Sequence, residues 1–126
     1  MPHEAIYERQ RLIEGLEIHE VASVVGCGGT GFWTALLLAM SGVKELILLD
    51  SDIIEVSNLN RLLLQESSVG KKKAEALKEL ISGIRKEIRI EIQDMRIEKP
   101  IDCQILRGDI FCWIPQLCRN QVRLIL

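Results

Sequence analysis

Apolar positions along the chain fall into short runs of two kinds, divided by turn-forming residues. Val21–Val25 forms a run of strand length with GCGGTG directly behind it. From Thr30 to Ser41 the sequence TGFWTALLLAMS is apolar on nearly every face, which predicts a buried helix lying between a sheet and another layer. Gly42 fits its C-terminal stop. ELILLD, 45–50, is too short for an ordinary helix and predicts a buried parallel strand. SDIIEVS then connects to a short helix, NLNRLLLQ, with Asn58 as its cap. A longer helix is expected from Val69, with Ala74, Leu77, Ile81 and Ile84 on one buried stripe. EIRIEIQ, 87–93, alternates strictly, as a strand with one solvated side near a sheet edge would. GDIFCWI, 108–114, reads as the next strand, and PQLCRNQVRLIL could begin a further helix.

This strand–helix–strand order predicts an α/β fold, a Rossmann-like three-layer sandwich with a mostly parallel sheet. Residues 1–20 read as an N-terminal helix or arm, with Ile6, Leu12 and Ile13 among charges, and residues 21–126 as the α/β domain itself. The chain ends on the uncapped apolar run Leu124-Ile125-Leu126, so the domain is expected to be the front half of a truncated sheet.

Composition narrows the function. With 126 residues, 48% hydrophobic and 27% charged, the chain has the balance of one globular domain. Aromatics are only 4%, so the core must be aliphatic. A formal net charge of −2 gives no overall attraction to nucleic acid or anionic membrane. The charged start lacks a secretory apolar run, and no stretch reaches bilayer length. No nucleic-acid or membrane partner is therefore expected, and a cytoplasmic protein with reduced thiols is.

The chemistry concentrates between residues 21 and 73. Gly26, Gly28 and Gly31 make G-x-G-x-x-G after a strand and before a helix. The first glycine permits a sharp turn, the second lets backbone approach a phosphate, and the third lets helix and strand pack closely. The helix N-terminus then offers free N–H groups and partial positive charge to an anion. Asp50 closes the second strand about 20 residues past the loop, where an acid takes ribose hydroxyls. To this point NAD and ATP are served equally. Asp52 adds a second acid, able to orient a metal or to stand as a solvated loop carboxylate.

Arg61 and Lys73 then supply the charge that a triphosphate needs beyond a helix N-terminus. Asn58 would position the ligand by hydrogen bonds. Each also has a plain structural reading: Asn58 as a cap, Arg61 as a surface cation, Lys73 as one of a solvated lysine run.

Other chemistries lack their signatures. Gly70-Lys71-Lys72 misses the remaining Walker residues, there is no G-x-S-x-G elbow, and His3 and His19 have no ligand spacing. The four cysteines form no C-x-x-C pair. Cys27 lies near a helix N-terminus, which could lower its pKa, but it reads as a small residue filling a tight turn. Cys103, Cys112 and Cys118 read as buried structural thiols.

With these residues in view, the chain resembles the ThiF/MoeB/HesA family of ubiquitin-activating-type adenylating enzymes. The likeness covers about residues 6–95, rests on the glycine loop, D-x-D and S-N-L-x-R, and takes in Tyr7-x-Arg9-Gln10 upstream. The resemblance implies ATP-dependent adenylation of the C-terminal glycine of a ubiquitin-like or sulfur-carrier protein ending in Gly-Gly. On that pattern Gly26, Gly28, Gly29 and Gly31 cradle the nucleotide and Asp50 takes the ribose. Asn58, Arg61 and Lys73 hold the phosphates, with Mg²⁺ sharing the charge. Arg9 would reach the phosphates of the neighbouring subunit in a homodimer. The sequence departs from the family at Cys112-Trp113-Ile114-Pro115, where Ile114 stands at the place of the family's Mg²⁺-ATP aspartate, upstream of Arg119-Asn120. The alternatives are a catalytically inactive partner or fragment, and an NAD- or FAD-binding oxidoreductase domain.

Overall fold

The structure is a computed structural model that describes residues 3–18, 20–112 and 122–123. His19, Cys118, Ile114 and Arg119-Asn120 lie outside the described residues. Strands β1 (Val21–Val25), β2 (Glu45–Leu49), β3 (Arg89–Gln93), β4 (Asp109–Cys112) and β5 (Val122–Arg123) form one sheet in the order β3-β2-β1-β4-β5. Every pairing is parallel, with Val21 beside Glu45, Glu45 beside Arg89, and Ala22 beside Asp109. The predicted α/β, Rossmann-like class is therefore present, with β3 at an edge as its alternation required. Val122–Arg123 is strand, so the helix expected in the tail does not extend over these two residues.

Helices α1 (Gly29–Ser41) and α2 (Lys73–Ile84) cover one face of the sheet. Phe32, Ala35, Leu36 and Ala39 of α1 meet Ala74, Leu77 and Ile81 of α2 over Ala22, Val24, Leu46 and Leu48. Each large aliphatic group buried there contributes about 1.5–3 kcal/mol. The third layer is thin: Ile97, Cys103 and Leu106, around a 3-10 turn at Pro100–Ile105, cover Val25, Leu49, Ile110 and Cys112.

Five local expectations are corrected. α1 is not enclosed all round: Trp33, Leu37 and Met40 on its outer side are exposed, while the sheet, α2 and Leu62 meet its buried face. The helix expected from Asn58 is replaced by 3-10 turns at Val56–Asn60 and Glu66–Ser68. There Asn58 sits at the third position of its turn, with its Oδ1 accepting from the Glu55 N–H at 2.9 Å. α2 starts at Lys73 rather than Val69, because the preceding residues pair with 52–54 instead. Gly70 N–H donates to Ile54 O (2.9 Å), Ile54 N–H to Lys71 O (2.8 Å) and Lys73 N–H to Asp52 O (3.0 Å). Ile84, in the last turn of α2, is 40% exposed and leaves the buried stripe. Cys103 is disulfide-bonded rather than a reduced thiol; spacing along the chain carries no signal of that pairing.

The arm forms 3-10 turns at His3–Tyr7 and Gln10–Leu12. Gln10 Nε2 donates to Ser41 O at 2.6 Å, and the Tyr7 ring packs over Gly42 at the end of α1, with the Arg85 guanidinium 5.9 Å from its centroid. These contacts hold the arm at the amino edge of the sheet.

Candidate functional site

The sheet order reverses between β1 and β4, and ligands in such sheets bind outside the carboxyl ends of the strands at that point. A cavity of about 440 Å³ opens there. Its wall is made by Val25 and Gly26 after β1, Asp50 and Asp52 after β2, Met95–Glu98 after β3, and Cys112 of β4.

The glycine turn has the shape its spacing predicted. Gly26 has φ 91°, which favours glycine, and its N–H donates to Leu49 O at 2.7 Å. A Cβ on Gly31 would lie 1.6 Å from the Gly26 carbonyl oxygen, so α1 approaches β1 only because that position has none. A Cβ on Gly28 would meet nothing within 4 Å, which leaves the outer side of the turn open to a ligand. The first helical bond runs from the Phe32 N–H to Gly28 O, so the preceding N–H groups of this terminus have no helical partner.

Asp50 locks the turn. Its Oδ2 accepts from the Cys27 N–H at 2.6 Å and its Oδ1 from the Asp52 N–H at 2.7 Å. A carboxylate has about four lone-pair sites, so capacity remains for hydroxyl donors such as those of a ribose. The Cys27 side chain is fully buried, and burial first, then the Asp50 charge, pushes its thiol up against the opposing pull of Lys73. The prospect of a pKa lowered by the helix N-terminus is thereby overturned, because loss of solvation outweighs the nearby positive charge.

Lys73 opens α2 with its backbone tied to Asp52, and its Nζ lies 3.8 Å from Asp52 Oδ2 with the side chain 14% exposed. Arg61 approaches the turn at Gly29: its Cδ would be 3.5 Å from a Cβ there. Trp33 Nε1 donates to Arg61 O at 2.8 Å and fixes that backbone against α1. The Arg61 Nη1 donates to Asn60 Oδ1 at 3.0 Å. Asn58 is buried beneath this turn, where its carbonyl oxygen shapes the 3-10 helix. Gly26, Gly28, Gly29, Gly31, Asp50, Asp52, Arg61 and Lys73 thus gather at one sheet edge, with Asn58 supporting them. Arg9 does not join them. It is exposed on the arm, at the far end of α1 from the glycine turn, about 20 Å away by helix rise.

Arg96 was not singled out from the sequence, yet its Nη2 donates to Asp52 Oδ1 at 2.8 Å and it lines the cavity. Met95 and Ile97 beside it supply apolar wall. The one available signal was position, since residues just past a strand at the carboxyl edge face the crevice.

The residues fit a nucleotide: an open glycine turn at a helix N-terminus, an acid with spare acceptors, and two nearby cations. Among the described residues no group of three or more His, Cys, Asp or Glu side chains is placed to hold a metal. Mg²⁺ uses one or two carboxylates plus phosphate oxygens; Asp50 keeps acceptor capacity for an ion that arrives with a triphosphate, whereas Asp52 is engaged by Arg96 and Lys73. No described helix is long and apolar enough to cross a membrane.

A parallel sheet with a glycine turn and a helix N-terminus at its switch point defines a Rossmann-like α/β protein. The ThiF family profile matches residues 14–111, and the chain belongs to that family. It is 34% identical over 91 residues to ubiquitin-like modifier-activating enzyme 5 of Caenorhabditis elegans, covering 72% of this chain and 20% of that protein. Among solved structures it resembles Escherichia coli MccB with ATP (TM-score 0.69, 33% identity, 74% of this chain and 28% of that one). It also resembles E. coli TcdA, a tRNA N6-threonylcarbamoyladenosine dehydratase, in complex with ATP (TM-score 0.73, 29% identity, 83% and 49%). The chain spans about a fifth of the length of the curated relatives it matches.

Proposed function

We propose that this chain is the front portion of a ThiF-type nucleotide-binding domain that binds ATP with Mg²⁺ to activate the C-terminal glycine of a ubiquitin-like or sulfur-carrier protein. The observation that carries this reading is two cations near an open glycine turn, Arg61 with its Cδ beside Gly29 and Lys73 with its charge acting on Cys27, more positive charge than a dinucleotide's pyrophosphate requires. Two solved relatives hold ATP, and the modifier-activating relatives support a ubiquitin-like protein as the substrate. When bound, ATP supplies an adenylyl group for the substrate carboxylate, with pyrophosphate leaving. The chain contributes positioning and charge. Asp50 orients the ribose, the turn and α1 N-terminus hold phosphate oxygens, and Arg61 and Lys73 neutralise charge as it develops. Arg9, remote from its own site, would serve a neighbour's in a homodimer.

Isothermal titration of the 126-residue chain with ATP–Mg²⁺, AMP and NAD tests the nucleotide assignment. Tight ATP binding with none for NAD is expected, and preference for NAD would overturn it. A second reading, an inactive partner that binds nucleotide without turnover, is favoured by Ile114 at the place of the expected acid. ATP–pyrophosphate exchange in the presence of a Gly-Gly-ended carrier separates the two.

A further inference from the structure

Asp52 lies between two cations, one on each carboxylate oxygen. Arg96 Nη2 donates to Oδ1 at 2.8 Å, while Lys73 Nζ stands 3.8 Å from Oδ2. The two contacts differ in kind. The first is a charge-assisted hydrogen bond at ordinary length, and the second is longer than a hydrogen bond. Lys73 has little freedom to leave, because its side chain is 14% exposed and its N–H is bonded to Asp52 O. An ammonium so close to a carboxylate would ordinarily close to a tight pair. Lys72 cannot relieve Asp52, since its Nζ is occupied by Ser51 O at 2.9 Å and Asp94 Oδ1 at 3.2 Å. Arg96 therefore holds the balance at Asp52, reaching it from the segment after β3 across the cavity mouth.

We propose that Arg96 is a positioning residue for Lys73: by occupying Asp52 it keeps the Lys73 ammonium available to a ligand's phosphate oxygens. This rests on the nucleotide reading above. Arg96 acts through Asp52 and has no need to touch the ligand itself. Removing Arg96 leaves Asp52 to capture Lys73, so the loss falls on the phosphate end of the ligand.

A double-mutant cycle tests this, read by calorimetric titration with ATP and with adenosine. Arg96→Gln is expected to weaken ATP binding about threefold to fivefold, the scale of an exposed ion pair, with adenosine affinity unchanged. Arg96→Lys should recover part of the loss. In the Asp52→Asn background, where no carboxylate can capture Lys73, Arg96→Gln should change ATP affinity by less than about twofold. Urea midpoints of all variants report whether the fold is intact. An Arg96→Gln loss that persists in the Asp52→Asn background would mean that Arg96 meets the ligand directly and would overturn the proposal. So would unchanged ATP affinity in Arg96→Gln when the wild type binds ATP. Failure of the wild type to bind ATP would overturn the nucleotide reading, and this inference with it.

Discussion

The backbone N–H of Cys27 donates to Asp50 Oδ2 at 2.6 Å, which ties the glycine turn after β1 to the end of β2. One carboxylate thus shapes the phosphate cradle and stands where a ribose would lie. Replacing Asp50 by Ala removes a charge-assisted bond to each of two backbone donors. A loss of about 2 kcal/mol of stability is expected from hydrogen bonds of that kind, measured as a shift in urea midpoint. Nucleotide affinity should fall as well, whereas Asp50→Asn, which keeps one acceptor, should lie between the two.

Two glycines of the turn should respond in opposite ways. Gly31→Ala places a methyl group 1.6 Å from the Gly26 carbonyl oxygen, so stability should drop by about 3 kcal/mol as α1 is forced from β1. Gly28→Ala meets nothing within 4 Å and should melt like the wild type. Its ATP affinity should nevertheless fall, because the methyl group stands where a phosphate would approach. Equal melting of the two variants would contradict the packing described here.

Arg61→Ala and Lys73→Ala should each weaken ATP binding about tenfold or more, as expected for charge-assisted phosphate contacts. Adenosine binding should stay within about twofold, since neither cation faces the base or ribose in this scheme. Titration with ATP, AMP and adenosine gives the comparison directly. A loss shared by adenosine would point instead to collapse of the turn.

Stability should have an acid limb traceable to Glu45 and Asp102. The hydrogen bond from Arg107 holds the Glu45 carboxyl below its usual 4.5. The Glu98 and Lys99 N–H groups hold that of Asp102 below its usual 3.8. As pH falls, the unfolded chain takes up these protons before the folded one. The stabilisation is thus complete above about pH 5 and is lost as pH drops through the folded-state values. Urea midpoints between pH 7 and 3 should fall less steeply for Glu45→Gln and Asp102→Asn than for the wild type.

The Cys27 thiol should be inert in the native protein. It is fully buried and its ionisation is opposed by burial and by Asp50. Iodoacetamide at pH 8, followed by peptide mass spectrometry, should label Cys27 only after denaturation. Rapid native labelling would contradict both observations.

Much of the architecture can be read from local pattern. The run at 21–25, the G-x-G-x-x-G behind it and the alternation of Ile88, Ile90 and Ile92 specify strand, turn and edge strand through burial with their own periods. Where the reading failed, a long-range partner had displaced a local preference. Residues 69–72 carry helix-forming lysines, but their backbone groups pair with 52–54 and delay α2 to Lys73. Asn58 was expected to cap a helix and instead closes a 3-10 turn with Glu55. The apolar outer side of α1 implied a cover that no described element provides.

By itself the sequence determined the order of elements, the parallel sheet, the glycine turn and the residue types offered to a nucleotide, because each is encoded within a few neighbouring positions. Tertiary structure decided which charges meet. Arg96 pairs with Asp52, Arg107 bridges Glu45 and Glu91, and Tyr7 settles on Gly42. Partners so far apart in the chain share no period. They come together only when crossovers of the parallel sheet bring the same ends of successive strands side by side.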